Sequence, residues 1–208
     1  MPMPARNEIL KWLYERLKPK RFLHTLGVEQ EALQLARIHG IPLKEASTAA
    51  LLHDCAKNLS TEKLLAICKD HNINLHNNEE YPQLLHAFAA PYVAQKQFGT
   101  LPEDVCNALR FHTTGRAGMS PLEELIYSAD YAEPGRDPFP GLEEARKRLI
   151  ADLSDGTHFI LQNTVKYLES NHSEVFPMTM QALESYKDRP LINYSQNDRR
   201  LQKEHIIW

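Results

Sequence analysis

Apolar residues recur along most of this chain three or four positions apart, and no stretch alternates apolar with polar residues as a half-buried strand does. The pattern predicts an all-α protein. Ile9, Leu10, Leu13 and Leu17 form a first amphipathic stripe that Pro19 ends or kinks. A second helix over 22–38 carries His24 and stops at Gly40, a residue suited to the left-handed position after a helix, with Pro42 beyond it. A third, over 43–57, sets Ala46, Ala49, Ala50 and Leu52 on its core side and contains the adjacent pair His53-Asp54. A short helix follows Ser60, whose hydroxyl can cap the free amides of the first turn.

The Asn-rich stretch 71–80 reads as a polar loop. Helices are predicted beyond it over 82–98, carrying His86, and over 102–112, ending on His112, where the glycine-containing TTGRAG breaks the pattern. Ser120, Pro121 and Glu123 combine an N-cap serine, a proline at N1 and a glutamate at N3, a capping box for the helix that reaches Asp130. EPGRDPFPG over 133–141 is turn-rich and lacks the flexible polar flanks of a domain linker. Helices over 142–153, 155–170 and 177–188 complete the bundle, and 189–208 is a polar tail or an extra helix. With 208 residues the chain is expected to form one helical domain over 1–188.

Composition narrows the class. Hydrophobic content of 42% and charged content of 25% exclude a disordered chain, a collagen-like repeat and a small disulfide scaffold. A net charge of −3 gives no general attraction to nucleic acid or to an anionic membrane, so a polyanionic substrate must be held locally. Three cysteines outside any CxxC pairing suit reduced thiols. The charged start has no signal-peptide run, and no stretch approaches the roughly 20 apolar residues of a membrane span. The expected location is the cytoplasm.

Ten histidines are the compositional oddity. Four of them, His24, His53, His86 and His112, fall with Asp54 and Asp130 near helix ends or inside apolar helical runs such as AALLHD and LIYSAD. Any one of the six, alone, reads as an ordinary capped or core-satisfied polar residue. Jointly they read as a metal centre, because a carboxylate buried in a bundle without a partner costs several kcal/mol and a cation compensates several such groups at once. Imidazoles mixed with carboxylates suit iron, manganese, cobalt or zinc better than magnesium. Asp54, with two oxygens, can bridge two ions, whose excess positive charge would then attract phosphate. Cys55 reads as a small core residue, and His39, His71, His76, His158, His172 and His205 as surface residues.

The strings RFLHTLGV (21–28), LLHDCAK (51–57), LLHAFAAPYVAQKQFG (84–99), RFHTTGRAGM (110–119) and SADYAEPGR (128–136) form an ordered H, HD, H, H, D series. In this the chain resembles the HD superfamily of metal-dependent phosphohydrolases and, within it, the bacterial YqeK-type hydrolases that split diadenosine tetraphosphate symmetrically. The resemblance implies an HD-domain helical bundle with two ions, iron foremost. His24, His53, Asp54 and Asp130 would hold one ion, and His86, His112 and a bridging Asp54 the second. It further implies metal-assisted hydrolysis, in which water activated by the ions attacks phosphorus and ADP leaves.

Cations near the expected ligands are the candidates for gripping phosphate. Lys57, three residues after Asp54, is expected on its face and, with Asp54, to serve catalysis; Arg21 stands three before His24. Thr113 and Arg116 directly follow a ligand, and Arg136 follows Asp130 across the EPG turn. One departure is Ala87-Phe88 after His86, where similar sequences carry a glycine-containing stretch, which bears on the pocket's width beside the second ion. The competing readings are a different HD phosphohydrolase, acting on mononucleotides or cyclic dinucleotides, and a non-catalytic nucleotide-binding sensor. The C-terminal helices are the candidate surface for a homodimer.

Overall fold

The computed structural model describes residues 3–73 and 81–187. Among these are ten α-helices and no strand, in the order α1 Arg6–Tyr14, α2 Pro19–His39, α3 Leu43–Leu52, α4 Thr61–Asp70, α5 Leu85–Phe98, α6 Glu103–Phe111, α7 Pro121–Ala132, α8 Leu142–Ala151, α9 Leu153–Ser170 and α10 Pro177–Glu184. The tail, 189–208, lies outside the described residues, as do His76 and His205.

The punctuation works largely as the residue types dictate. Gly40 ends α2 at φ 69°, and Ser60 Oγ accepts the Lys63 N–H. At α7 both capping bonds are made, Ser120 N–H to Glu123 Oε2 at 2.7 Å and Glu123 N–H to Ser120 Oγ at 3.3 Å. Pro19 does not merely close α1; it opens α2 at N1, where its missing N–H is no loss, so that Arg21 lies in the first turn of the helix that carries His24. The stretch after Tyr81 begins as a 3-10 turn, Pro82–Leu84, before α5 proper.

One boundary matters to the site. The helix expected over 43–57 ends at Leu52, and the chain continues in tighter turns, with Cys55 N–H to Leu52 C=O at 3.1 Å and Lys57 N–H to Asp54 C=O at 2.9 Å. His53 and Asp54 therefore stand just beyond a helix end. Residues three apart eclipse in such turns, which keeps Lys57 on the side of Asp54.

A single apolar cluster joins these helices, with Leu13, Leu35, Leu51, Leu85, Leu109, Leu125 and Leu149 fully buried. Each fully buried leucine contributes about 1.5–3 kcal/mol relative to exposure. α2 packs on α3 and α7, α3 on α6 and α7, and α5 on α6. α9 packs on α7, α8 and α10. No described helix is long and apolar enough to cross a membrane.

His158 departs from the surface reading. It lies inside α9, 5% exposed, stacked on Tyr186 and within hydrogen-bond distance of Gln162. The apolar face of α9 is wide enough to include it, and packing against α10 then decides its burial. His39, the last residue of α2, is half-buried with Nε2 2.6 Å from the Leu149 carbonyl; His71 and His172 are exposed. Cys55, Cys68 and Cys106 are free and buried.

Candidate metal centre and its cavity

Two of the histidines are set by the same local device. His53 and His112 each follow the last residue of a helix, α3 and α6, and each places Nδ1 2.7 Å from the carbonyl three residues back, Ala50 and Leu109. A helix end leaves these carbonyls without backbone donors, so the Nδ1–H satisfies one of them. The bond also fixes the tautomer: Nδ1 carries the proton and Nε2 offers a lone pair. His24 is oriented by a carboxylate instead, with Nδ1 3.1 Å from Glu133 Oε1 and Nε2 3.1 Å from Asp130 Oδ1.

Asp54 stands at the middle of the group, and its two oxygens face different rings. Oδ2 lies 3.5 Å from His53 Nε2 and 3.9 Å from His24 Nε2, while Oδ1 lies 3.1 Å from His86 Nε2 and 3.6 Å from His112 Nε2. Donor atoms of His24, His53 and Asp130 fall within 4.8 Å of one another, and those of His53, Asp54 and His112 do likewise. His24 Nε2, His53 Nε2 and Asp54 Oδ1 are all buried without a hydrogen-bond partner. Buried polar atoms are rarely left so, and three together, all of them metal-ligating types, fit a cation centre.

The electrostatics run the same way. Burial pushes the Asp54 carboxyl up, but the surrounding His53, His112 and His86 hold it well below the usual carboxylate range. Asp130 is likewise lowered against the effect of burial, by the adjacent His24 first and then by the nearby His53. Burial lowers His86 to about 4, with His112 and Lys57 adding to it, so its ring is neutral at pH values above that. Burial also lowers Lys57, whose Nζ is 3.1 Å from His86 Nε2.

Three of the cations singled out in the sequence meet this group. Arg21 Nη1 donates to Asp54 Oδ2 at 2.7 Å; Arg136 donates to Asp130 Oδ1 at 2.8 Å and to its main-chain carbonyl at 2.6 Å. With Lys57 they line a cavity of ≈ 750 Å³ that His24, Glu133, Lys18, Lys20, Leu23 and Phe139 also help to form. Thr113 and Arg116 are not among its lining residues. Arg116 is engaged by the buried Glu123 at 2.9 Å and rests over the Phe111 ring, holding the start of α7, and Thr113 Oγ1 is buried without a partner. Ala87 and Phe88 are buried away from this cavity, Phe88 packing toward Phe176.

Glu133, Lys18 and Lys20 are additions to the expected set. Glu133 sits in a stretch whose Pro and Gly read as a turn, but a signal for it stands in RFLHTLGV. A Cβ on Gly27, one turn after His24, would lie 2.4 Å from Glu133 Oε2, so the glycine leaves room for the carboxylate that orients the histidine.

Known proteins are similar to this chain in sequence and fold. The HD domain matches residues 21–135. The symmetrical bis(5'-nucleosyl)-tetraphosphatase of Bacillus subtilis (strain 168) is 38% identical over 174 residues, covering 84% of this chain and 93% of the relative. That of Staphylococcus aureus (strain NCTC 8325 / PS 47) is 30% identical over 174 residues, covering 83% and 89%. A crystal structure from Clostridium acetobutylicum, described as a predicted HD superfamily hydrolase involved in NAD metabolism, superposes with a TM-score of 0.86 at 38% identity, covering 91% of this chain and 100% of that one. The chain belongs to the HD-domain family of divalent-metal-dependent hydrolases, in the group whose named members are symmetrical bis(5'-nucleosyl)-tetraphosphatases.

Proposed function

We propose that this chain hydrolyses diadenosine tetraphosphate at its central phosphoanhydride, giving two ADP. The observation that carries the reading is the division of Asp54 between two sets of imidazoles. It supports a two-ion centre in which His24, His53, Asp54 and Asp130 hold one ion while His86, His112 and Asp54 hold the other. His53 lies within reach of both groups and is assigned to the first through its 3.5 Å approach to Asp54 Oδ2. The ligand chemistry favours iron, with manganese, cobalt or zinc as alternatives.

When bound, the ions supply Lewis acidity, bringing the pKa of water toward neutrality and taking up charge on the phosphoryl oxygens. The protein's own part is to place the phosphate chain. Arg21 commits Nη1 to Asp54, and Arg136 commits Nε and Nη2 to Asp130. Their other guanidinium donors serve phosphate oxygens, which a planar fork grips in a fixed geometry. Lys57 adds a compact charge between the two sides of the centre. The departing ADP is a stable anion, so cations rather than a strong general acid suffice to assist it. The three buried free thiols favour a reducing compartment, and we place the enzyme in the cytoplasm.

Product analysis tests the reading. Metal-loaded protein incubated with diadenosine tetraphosphate is expected to yield ADP alone on anion-exchange chromatography. AMP with ATP rejects symmetrical cleavage.

A further inference from the structure

The cavity beside the centre has a cationic and an apolar wall, and the Glu133 and Asp137 carboxylates also belong to its lining. Lys18, Lys20 and Arg21 crowd the N-terminus of α2, a helix of 21 residues with no acidic residue in its first turn. Cations are ordinarily unfavourable there, because the helix end already carries partial positive charge. Arg21 is balanced by Asp54; Lys18 and Lys20 make no ion pair among the described residues. Such an uncompensated end is matched to an anion.

The second wall is apolar. Leu23 is 67% exposed on α2, a large aliphatic side chain left at the rim of a charged cavity. Phe139 is half-buried between Pro138 and Pro140, and the edge-on Tyr131 ring supports it at 5.1 Å and 86°. Asn163 ties that support down, donating to Tyr131 Oη at 2.5 Å and to the Pro140 carbonyl at 3.1 Å. Phe139 is thus a braced aromatic ring in a segment otherwise made of turns. Inorganic phosphate needs only the first wall, whereas a nucleotide uses both. The cavity of ≈ 750 Å³ lies within the range of about 300–1,000 Å³ usual for small-molecule sites.

We propose that Leu23 and Phe139 form a nucleobase seat, and that Lys18 and Lys20 hold the diphosphate of the same nucleotide as it runs inward to the metal centre. This rests on the hydrolase reading and gives one ADP half of the substrate its place. Stacking on an aromatic ring tolerates any base. The seat therefore binds adenine and guanine nucleotides alike.

Calorimetric titration of the metal-loaded protein with ADP and with inorganic pyrophosphate separates the two walls. Phe139→Ala is expected to weaken ADP by roughly 5- to 150-fold, the range for a lost base–aromatic stack, and to leave pyrophosphate unchanged. Leu23→Ser, at a site too exposed to disturb folding, should weaken ADP in the same selective way. The double variant Lys18→Ala, Lys20→Ala should weaken both ligands. Equal ADP affinity in wild type, Phe139→Ala and Leu23→Ser overturns the seat, as does an equal loss of pyrophosphate in the first two variants. Wild type that shows the selective ADP signature yet yields no ADP from diadenosine tetraphosphate removes the hydrolase reading and leaves the seat. Wild type that makes ADP without the signature does the reverse.

Discussion

Replacing Gly27 by alanine should damage the metal centre without touching a ligand. In a helix interior alanine is favoured over glycine by about 1 kcal/mol, so the substitution would ordinarily stabilise α2. Here the new Cβ would stand 2.4 Å from Glu133 Oε2 and 3.2 Å from its Cδ. The Glu133 side chain is only 5% exposed and has little room to move away. Displacing it breaks the contact with His24 Nδ1 at 3.1 Å and the bond accepted from the Gly135 N–H at 2.5 Å. Hydrogen bonds to a charged group contribute about 1.5–3 kcal/mol each, which exceeds the gain in helix propensity. The expected net loss is about 2–5 kcal/mol of stability, with metal affinity reduced about 10- to 100-fold, as when a ligand histidine loses its orienting partner. A double-mutant cycle with Glu133→Ala tests the cause. With the carboxylate gone the nearest remaining Glu133 atom is Cβ at 3.7 Å, an ordinary contact, so Gly27→Ala should turn stabilising in that background. Urea melts of the four proteins read the stability, and competitive titration with a chromophoric chelator reads the metal. Destabilisation by Gly27→Ala of the same size in both backgrounds, or unchanged metal affinity in the single variant, refutes the reasoning.

Glu31 is raised from 4.5 to about 7, by burial first and then by the nearby Glu133, with Arg146 opposing. The folded state holds this proton more tightly than the unfolded chain, so its contribution is complete below about pH 4.5 and is lost as pH rises through about 7. Glu31→Gln should therefore gain up to about 2–3 kcal/mol over wild type at pH 8, a difference that urea midpoints across pH would reveal and that parallel profiles would contradict. Gly156→Ala would push a Cβ to 2.8 Å from the Leu149 backbone nitrogen, where α8 and α9 cross. Thermal melts should show a loss of about 1–3 kcal/mol, the usual effect of overpacking, and an unchanged melting temperature would mean that the crossing can spread. Lys57→Ala and Arg136→Ala should keep their metal by elemental analysis and lose turnover by about 100-fold or more, as when an electrostatic donor is removed from a reacting site. Unchanged kinetics in both would remove their role.

What the chain revealed in advance follows from what each feature depends on. Periodicity and caps are local, and so the all-helical bundle, the Ser120–Glu123 box and the Gly40 stop appear as the residues dictate. The end at Leu52 was harder, because no glycine or proline marks it at that point; the following histidine takes over a terminal carbonyl with its own ring. The candidate ligand types stand out in the sequence because carboxylates and imidazoles inside apolar runs demand compensation. Which cations reach the cavity was not. Arg116 and Arg136 look alike in sequence, yet a buried glutamate at the start of α7 captures the first, while the EPG turn folds the second back onto Asp130. His158 shows the limit of reading polarity alone, since its burial depends on the turn after α10 laying Tyr186 over it.

Asp54 is proposed to organise a two-ion hydrolytic centre. The most direct test is anaerobic purification of wild type and His86→Ala, with metal content and hydrolysis of diadenosine tetraphosphate measured on the same samples. Two ions per chain and ADP production in wild type, against one ion and lost turnover in His86→Ala, are the predicted results. One ion with full activity in His86→Ala would contradict the account.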